Sequence, residues 1–135
     1  MGAGVYPSLV PSSRLNVDTE RDPVGLELTA DPEMIEQVLI NLLLNAFHAV
    51  GTKQDGAVGL TSFLDKQGHV VIDVKDNGAG IQDEVKEKIF IPFFTTKKEG
   101  SGIGLSLSKE IMRLHKGSIH VHSQPGEGTI LRLVF

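Results

Sequence analysis

The segment Asp31–Gly51, DPEMIEQVLINLLLNAFHAVG, decides how the rest of the chain is read. Asp31 suits an N-cap, Pro32 the first helical position, Glu33 the first turn and Gly51 a C-terminal stop. The spacing therefore predicts one helix running from Asp31 to about Val50. At 100° per residue, Gln37, Asn41, Asn45, His48 and Thr52 fall within roughly an 80° arc, with Leu39, Leu43, Ala46 and Val50 opposite. The helix is apolar nearly all round, with a single polar stripe. A neutral amide buried on such a helix needs a partner, because leaving it unpaired costs about 1–3 kcal/mol. Two explanations of the stripe stand side by side. One is a structural network that ties the helix to neighbouring backbone. The other is a site in which an amide oxygen ligates Mg²⁺, a hard cation that prefers oxygen and keeps several waters.

Downstream, Gly56 to Leu64 and His69 to Asp76 read as strands flanking the turn Asp65-Lys66-Gln67-Gly68, a hairpin. In the second strand Val70, Ile72 and Val74 alternate with Val71, Asp73 and Lys75. It ends at Asp76, before the turn formers Asn77-Gly78-Ala79-Gly80. Asp76 is open to two readings. It serves as a turn residue, or it presents a fixed carboxylate to a base. An ionised carboxylate only accepts hydrogen bonds. The exocyclic amine of adenine donates, whereas guanine carries an acceptor oxygen at that position. Gly78 and Gly80 would let a flat ring approach the backbone.

A third segment, Gly100-Ser101-Gly102-Ile103-Gly104-Leu105, leads into an amphipathic helix over Ile103–His115. Leu105, Leu107, Ile111, Met112 and Leu114 are its core candidates, and Gly117 ends it. A helix N-terminus offers free N–H groups and partial positive charge to phosphate oxygens, and Lys97 and Lys98 lie just before it. The alternative is a flexible loop before a capped helix. The spacing matches neither a Walker loop nor a dinucleotide fingerprint.

The remaining sequence sets the frame. The chain has 135 residues, 40% hydrophobic, a length and composition that fit one domain with a real core. Val38 to Val50 is too short and too polar to span a bilayer, and Met1 to Pro11 lacks the pattern of a signal peptide. The net charge of −4 argues against nucleic acid as the main partner. The absence of cysteine excludes disulfides and thiolate metal sites and fits the cytosol. Residues 1–13 read as a flexible leader or a cloning boundary, and 14–135 as the domain. Arg14 to Glu20 and Val24 to Thr29 suggest two strands around Asp22-Pro23. Asp83 to Ile89 suggests a short helix. Ser118 to Ser123 and Thr129 to Phe135 suggest a last hairpin. Strands in runs with helices set between them indicate an α+β, two-layer α/β sandwich: helices on one face of a mixed, mostly antiparallel sheet.

Together the segments resemble a known family. Asn41-Leu-Leu-Leu-Asn45-Ala46 is similar to the N box, Asp76-Asn-Gly-Ala-Gly80 to the G1 box, Phe90-Ile-Pro-Phe93-Phe94 to the F box and Gly100-Ser-Gly102-Ile-Gly104-Leu to the G2 box. These are the boxes of the catalytic and ATP-binding domain of bacterial sensor histidine kinases, in the Bergerat-fold ATPase superfamily. Their order and spacing match from about Arg14 to Phe135, and Phe-Phe-Thr-Thr-Lys with a short lid is most like the nitrogen-regulatory type. The resemblance implies a Bergerat fold with a mobile ATP lid over Ile81–Ser101, and ATP and Mg²⁺ as ligands. Asn45 would ligate Mg²⁺, with Asn41 and His48 near the metal or phosphates. Asp76 would bind the adenine amine, with Gly80 nearby through water and Thr129 on the base side of the pocket. Thr96 and Lys97 would reach the nucleotide when the lid closes, and Phe93 and Phe94 would anchor the lid or pack in the core. The implied pocket is completed by Ala49, Gly78, Ile81 and the run Gly100, Ser101, Gly102, Ile103, Gly104 and Leu105. Asn41, Asn45 and Lys97 would carry the catalytic work.

Two absences sharpen that reading. The family's phosphoacceptor is a histidine followed by an acid, and the five histidines here precede Ala49, Val70, Lys116, Val121 and Ser123. The acceptor would therefore lie in a separate helical dimerisation domain of the same kinase, with a response regulator downstream. Water-splitting members of the superfamily place a Glu base where this chain has Asn41, and an amide cannot take a proton from water. The resemblance thus implies phosphoryl transfer to histidine by a cytoplasmic, monomeric domain that itself touches no membrane, whether or not the full protein is anchored. The alternatives are an ATPase of the gyrase, chaperone or mismatch-repair type, a serine kinase of the anti-sigma type, and a degenerate nucleotide-binding interaction module.

Overall fold

Strand β3 (Val70–Asp76) holds the centre of the fold and carries Asp76 at its end. The structure, a computed structural model, describes residues 16–21, 30–94 and 104–135. The elements run β1 (Asn16–Arg21), α1 (Pro32–Val50), β2 (Ala57–Leu64), β3, α2 (Asp83–Lys86), α3 (Gly104–Leu114), β4 (Ser118–Gln124) and β5 (Gly128–Val134). The strands form one five-stranded sheet in the order β1-β2-β3-β5-β4. β1 and β2 are parallel, and the other pairs are antiparallel, as expected of a mixed, mostly antiparallel sheet. The strand expected over 24–29 lies outside the described residues.

The helix signals in the opening segment act as read. The Asp31 side chain accepts from the N–H groups of Glu33 and Met34 at 3.0 and 3.3 Å, Pro32 opens α1, and the Gly51 N–H closes it on the Phe47 carbonyl. Val38, Leu42, Leu43, Ala46 and Val50 are buried against Val58, Val74, Leu131 and Leu133 of the sheet and against Ile111 and Met112 of α3. Both long helices therefore lie on one face. The other face holds a bidentate pair in which Arg132 donates to Asp73 at 2.7 and 2.8 Å, with the guanidinium 5.6 Å from the Phe63 ring. The hydrogen bonds to Asp73 hold Arg132 above its ordinary pKa.

α1 and α3 are tied by side chains at both ends. The Asp31 N–H donates to Nε2 of His115 at 3.1 Å, so the ring proton sits on Nδ1 and is donated to the Ile111 carbonyl at 2.8 Å. At the other end, Asn41 Nδ2 donates to the Gly104 carbonyl at 3.2 Å. Two of the expected core residues of α3 are not in the core: Leu107 is 44% exposed and Leu114 is 56% exposed. The buried stripe is instead Ser108, Ile111 and Met112, with Leu105 partly buried beside it. Leu107 and Leu114, one heptad apart, fall roughly 100° round the helix from its centre.

These placements fix distinct stabilities. Leu133→Ala should lower the unfolding free energy by about 2–5 kcal/mol, and Asp31→Ala by about 1 kcal/mol. Leu107→Ala should stay within about 0.5 kcal/mol of the parent in the same denaturant titration.

Candidate functional site

The sheet register builds a polar row at one end of an otherwise apolar face. Val58 of β2 pairs with Asp76 of β3, Asp76 with Thr129 of β5, and Thr129 with Ser123 of β4. Asp76, Thr129 and Ser123 are all buried on the helix-facing side. Burying a carboxylate requires donors, and the Gly78 N–H supplies one to Asp76 Oδ1 at 2.8 Å. Ser123 Oγ donates its proton to the Gly128 carbonyl at 2.8 Å and accepts from the Ile81 N–H at 2.8 Å. Its contact with Thr129 Oγ1, also 2.8 Å, therefore has Thr129 as the donor.

Two glycines let the turn after β3 close on its neighbours. A Cβ on Gly78 would stand 2.5 Å from the Ala49 carbonyl oxygen of α1. Gly80 has φ +77° and lies against β4, where a Cβ would stand 2.1 Å from the Gln124 carbonyl oxygen. Between them, the turn is wedged from the end of α1 to the end of β4. Asn77 adds a clasp that the sequence did not single out: its Oδ1 accepts from the Ala57 N–H at 2.8 Å and its Nδ2 donates to the Asp55 carbonyl at 2.7 Å. The turn is thereby fixed to the loop after α1 as well.

The polar stripe of α1 connects this turn to α3. Asn41 is half-buried, with Oδ1 accepting from Gln37 Nε2 at 3.2 Å and Nδ2 donating to the Gly104 carbonyl and to Ser108 Oγ. The structural explanation of the stripe thus applies to Asn41, and the backbone it ties is the start of the helix after the glycine-rich segment. Asn45 is half-buried one turn further on, and His48 is exposed. From Asn41 to Ala49, α1 spans ~12 Å between its contact with α3 and its contact with the β3 turn.

Of the residues expected at the pocket, Asn41, Asn45, His48 and Ala49 share α1. Asp76, Gly78, Gly80 and Ile81 share the β3 end and its turn, and Thr129 joins them from β5. Gly104 and Leu105 open α3. Thr96, Lys97, Gly100, Ser101, Gly102 and Ile103 lie outside the described residues, as does most of the expected lid. Phe94 is half-buried, but Phe93 is 77% exposed with φ +67°, so the core-packing alternative does not hold for Phe93. Phe90 takes the packing role instead, half-buried against the core under the Lys109 ammonium at 5.5 Å. A groove of 370 Å³ lined by Phe90, Pro92, Lys109 and Arg113 contains none of the expected pocket residues. Ser123 and Ser108 were missed. The signal for each was a serine at a position whose periodicity belongs to the core: Ser123 follows Ile119 and Val121 at spacing two, and Ser108 precedes Ile111 and Met112 at spacings three and four.

The site thus combines a buried carboxylate at the end of β3 with a helix carrying amides that leads to a second helix N-terminus. Residues 30–135 match the model of the family described as histidine kinase-, DNA gyrase B- and HSP90-like ATPase, and the chain belongs to that family. It is 39% identical over 118 residues to the signal transduction histidine-protein kinase AtoS of Escherichia coli strain K12, covering 87% of this chain and 18% of that protein. The chain spans about a fifth of the length of the curated relatives it matches. The nucleotide-free catalytic domain of the histidine kinase ThkA superposes with a TM-score of 0.79 at 36% identity, over 90% of this chain and 78% of that one. ThkA in complex with the response regulator protein TrrA gives 0.74 at 35%, over 90% of this chain and 34% of that chain. The chain is therefore a catalytic ATPase domain of the sensor histidine kinase kind, with a Bergerat fold. Among the described residues, no helix is long and apolar enough to cross a membrane.

Ser123 tests the buried polar row. Ser123→Ala leaves the Ile81 N–H and Gly128 carbonyl without their shared partner and should cost about 1–3 kcal/mol. Denaturant titration reads the cost, and hydrogen exchange at the Ile81 amide should accelerate.

Proposed function

We propose that this domain binds Mg-ATP and donates its γ-phosphoryl group to a histidine on a separate helical domain of a longer kinase. The observation that carries the reading is the buried Asp76 carboxylate, held at the end of β3 by a turn wedged between α1 and β4, with the amide stripe of α1 running away from it. Asp76 accepts from the adenine amine and, as an acceptor only, discriminates against guanine. Thr129, whose proton is given to Ser123, presents acceptor lone pairs on the same side. The phosphates then lie along α1 toward Gly104, where the N-terminal end of α3 suits negative charge.

The donor set suits magnesium. Among the described residues, no group of three or more His, Cys, Asp or Glu could hold a metal ion. That fits an ion carried chiefly by nucleotide phosphates and water, to which Asn45 contributes one amide oxygen. When bound, the ion neutralises charge on the phosphates. The chain's own task is positioning. Asn41 is an amide and cannot deprotonate water, so the group placed to attack is an imidazole nitrogen of the partner domain. A bond forms from that nitrogen to the γ-phosphorus as the β–γ bridging P–O bond breaks, and ADP keeps the electron pair. A response regulator would take the phosphoryl group onward, a reading supported by the ThkA–TrrA complex.

A thermal melt with Mg-ADP, Mg-ATP and Mg-GTP tests the ligand. At 100 times Kd, an adenine nucleotide should stabilise the fold by about 2.7 kcal/mol, and GTP should not. No shift with any adenine nucleotide defeats the proposal, and an equal shift with GTP defeats the role of Asp76. Asp76→Asn should weaken both adenine nucleotides, while Asn45→Ala should chiefly abolish the dependence on Mg²⁺. Labelled ATP offered with a histidine-bearing kinase domain should leave acid-labile label on that domain. Label on serine, or steady ATP turnover without an acceptor, would point to the serine kinase or the hydrolase instead.

A further inference from the structure

Ser108 is fully buried on the α1-facing side of α3, yet it carries a hydroxyl. Its Oγ donates to the Gly104 carbonyl at 2.8 Å, so the same oxygen meets Asn41 Nδ2 as an acceptor, at 3.4 Å. Gly104 O also receives Asn41 Nδ2 at 3.2 Å. A carbonyl can only accept, so the Asn41 atom that faces α3 must be the nitrogen. Both of its N–H groups are then committed to α3, one to the carbonyl and one to the hydroxyl. The amide oxygen is turned the other way, onto the stripe of α1, where Gln37 Nε2 donates to it at 3.2 Å.

We propose that Ser108 is a positioning residue for the phosphate and metal end of the site: it fixes the orientation of the Asn41 amide and thereby locks the first turn of α3 to α1. The inference rests on the proposed reading of Asn41 and Asn45 as that end of the site. Ser108 touches neither nucleotide nor metal and acts through Asn41. Without Ser108 the amide would keep only the Gly104 carbonyl and Gln37; with it, two acceptors and one donor fix the plane of the group. With Ser108 in place, the acceptor oxygen of Asn41 stays on the polar stripe it shares with Asn45, and Gly104 stays against α1. The adenine end depends on a different set of bonds, those of Asp76, Ser123 and Thr129. Losing the Ser108 hydroxyl should therefore be felt at the phosphates and not at the base.

The test is calorimetric titration of the parent, Ser108→Ala, Asn41→Ala and the double variant with AMP, and with ADP in the presence and absence of Mg²⁺. Ser108→Ala should weaken Mg-ADP by about five- to tenfold, the loss of one modest hydrogen bond, while AMP binds as in the parent. In the Asn41→Ala background the same substitution should change nothing further. Nuclear magnetic resonance should show faster exchange of the Asn41 side-chain amide protons in Ser108→Ala, a readout that needs no nucleotide. Ser108→Cys, which keeps a group of similar size at the buried position, replaces the alanine variant if that one fails to fold. Equal weakening of AMP and Mg-ADP, or a full effect persisting without Asn41, or unchanged amide exchange, overturns the inference. Parent-like Mg-ADP binding by Ser108→Ala overturns it alone, whereas a parent that binds no adenine nucleotide overturns the proposed function and this inference with it.

Discussion

The carbonyl of Gly104, in the first turn of α3, is met by the Asn41 amide from α1 and by the Ser108 hydroxyl of its own helix. The bond from Asn41 sets how α1 and α3 sit. The second tie, from the Asp31 N–H to His115, lies at the opposite end of the pair. Asp31 to Asn41 on α1 and Gly104 to His115 on α3 span nearly equal lengths, ~15–17 Å at the helical rise. The two helices are therefore antiparallel and in register, with apolar packing of Leu42, Ile111 and Met112 between the ties. The packing supplies most of the stability, since burial of large apolar side chains outweighs a modest net hydrogen bond. The ties supply register: a slide of one turn would strand the Asn41 amide and the Asp31 N–H together.

The sheet answers with a constraint of its own. Strand pairing places Asp76, Thr129 and Ser123 in one row, and each lies where an apolar residue would otherwise cover α1. A row of buried polar groups is tolerable only when its members satisfy one another. Ser123 spends its proton on Gly128 and accepts from Ile81, Thr129 spends its proton on Ser123, and Asp76 accepts from Gly78. The result is a row whose hydroxyl donors are consumed internally; on the proposed reading it meets adenine as an acceptor. On that reading, selection for a donor-bearing ring follows from that polarity, with the wedged turn holding the carboxylate in place.

Much of this was legible in the sequence where the cause is local. Asp31, Pro32 and Gly51 bounded α1 because capping acts within one turn. The alternation of Val70, Ile72 and Val74 ended at Asp76 because the next residues can only turn. What stayed hidden has a partner far along the chain. Asn41 was visibly part of a stripe, but its partners at Gly104 and Ser108 lie over sixty positions away and are brought near only by the fold. Leu107 and Leu114 looked like core because they are apolar, and Ser108, being polar, was not among the core candidates. The helix rotation, set by the ties to α1, reversed both. Ser123 was hidden in the same way, since its role depends on the register of β4 against β5.

These constraints bear on why an amide and not a carboxylate stands at position 41. A carboxylate has no donor to give the Gly104 carbonyl, and it would set acceptor against acceptor at a half-buried contact. The same atom that holds the helices together would become the one that drives them apart. The amide nitrogen closes the α1–α3 tie, and on the proposed reading an amide at position 41 cannot serve as the base for water. On that reading the domain would hold ATP until the histidine of another domain attacks it. Slow hydrolysis and the helix clamp would then follow from one residue, and loosening the clamp at Ser108 would disturb the phosphate end without supplying a base.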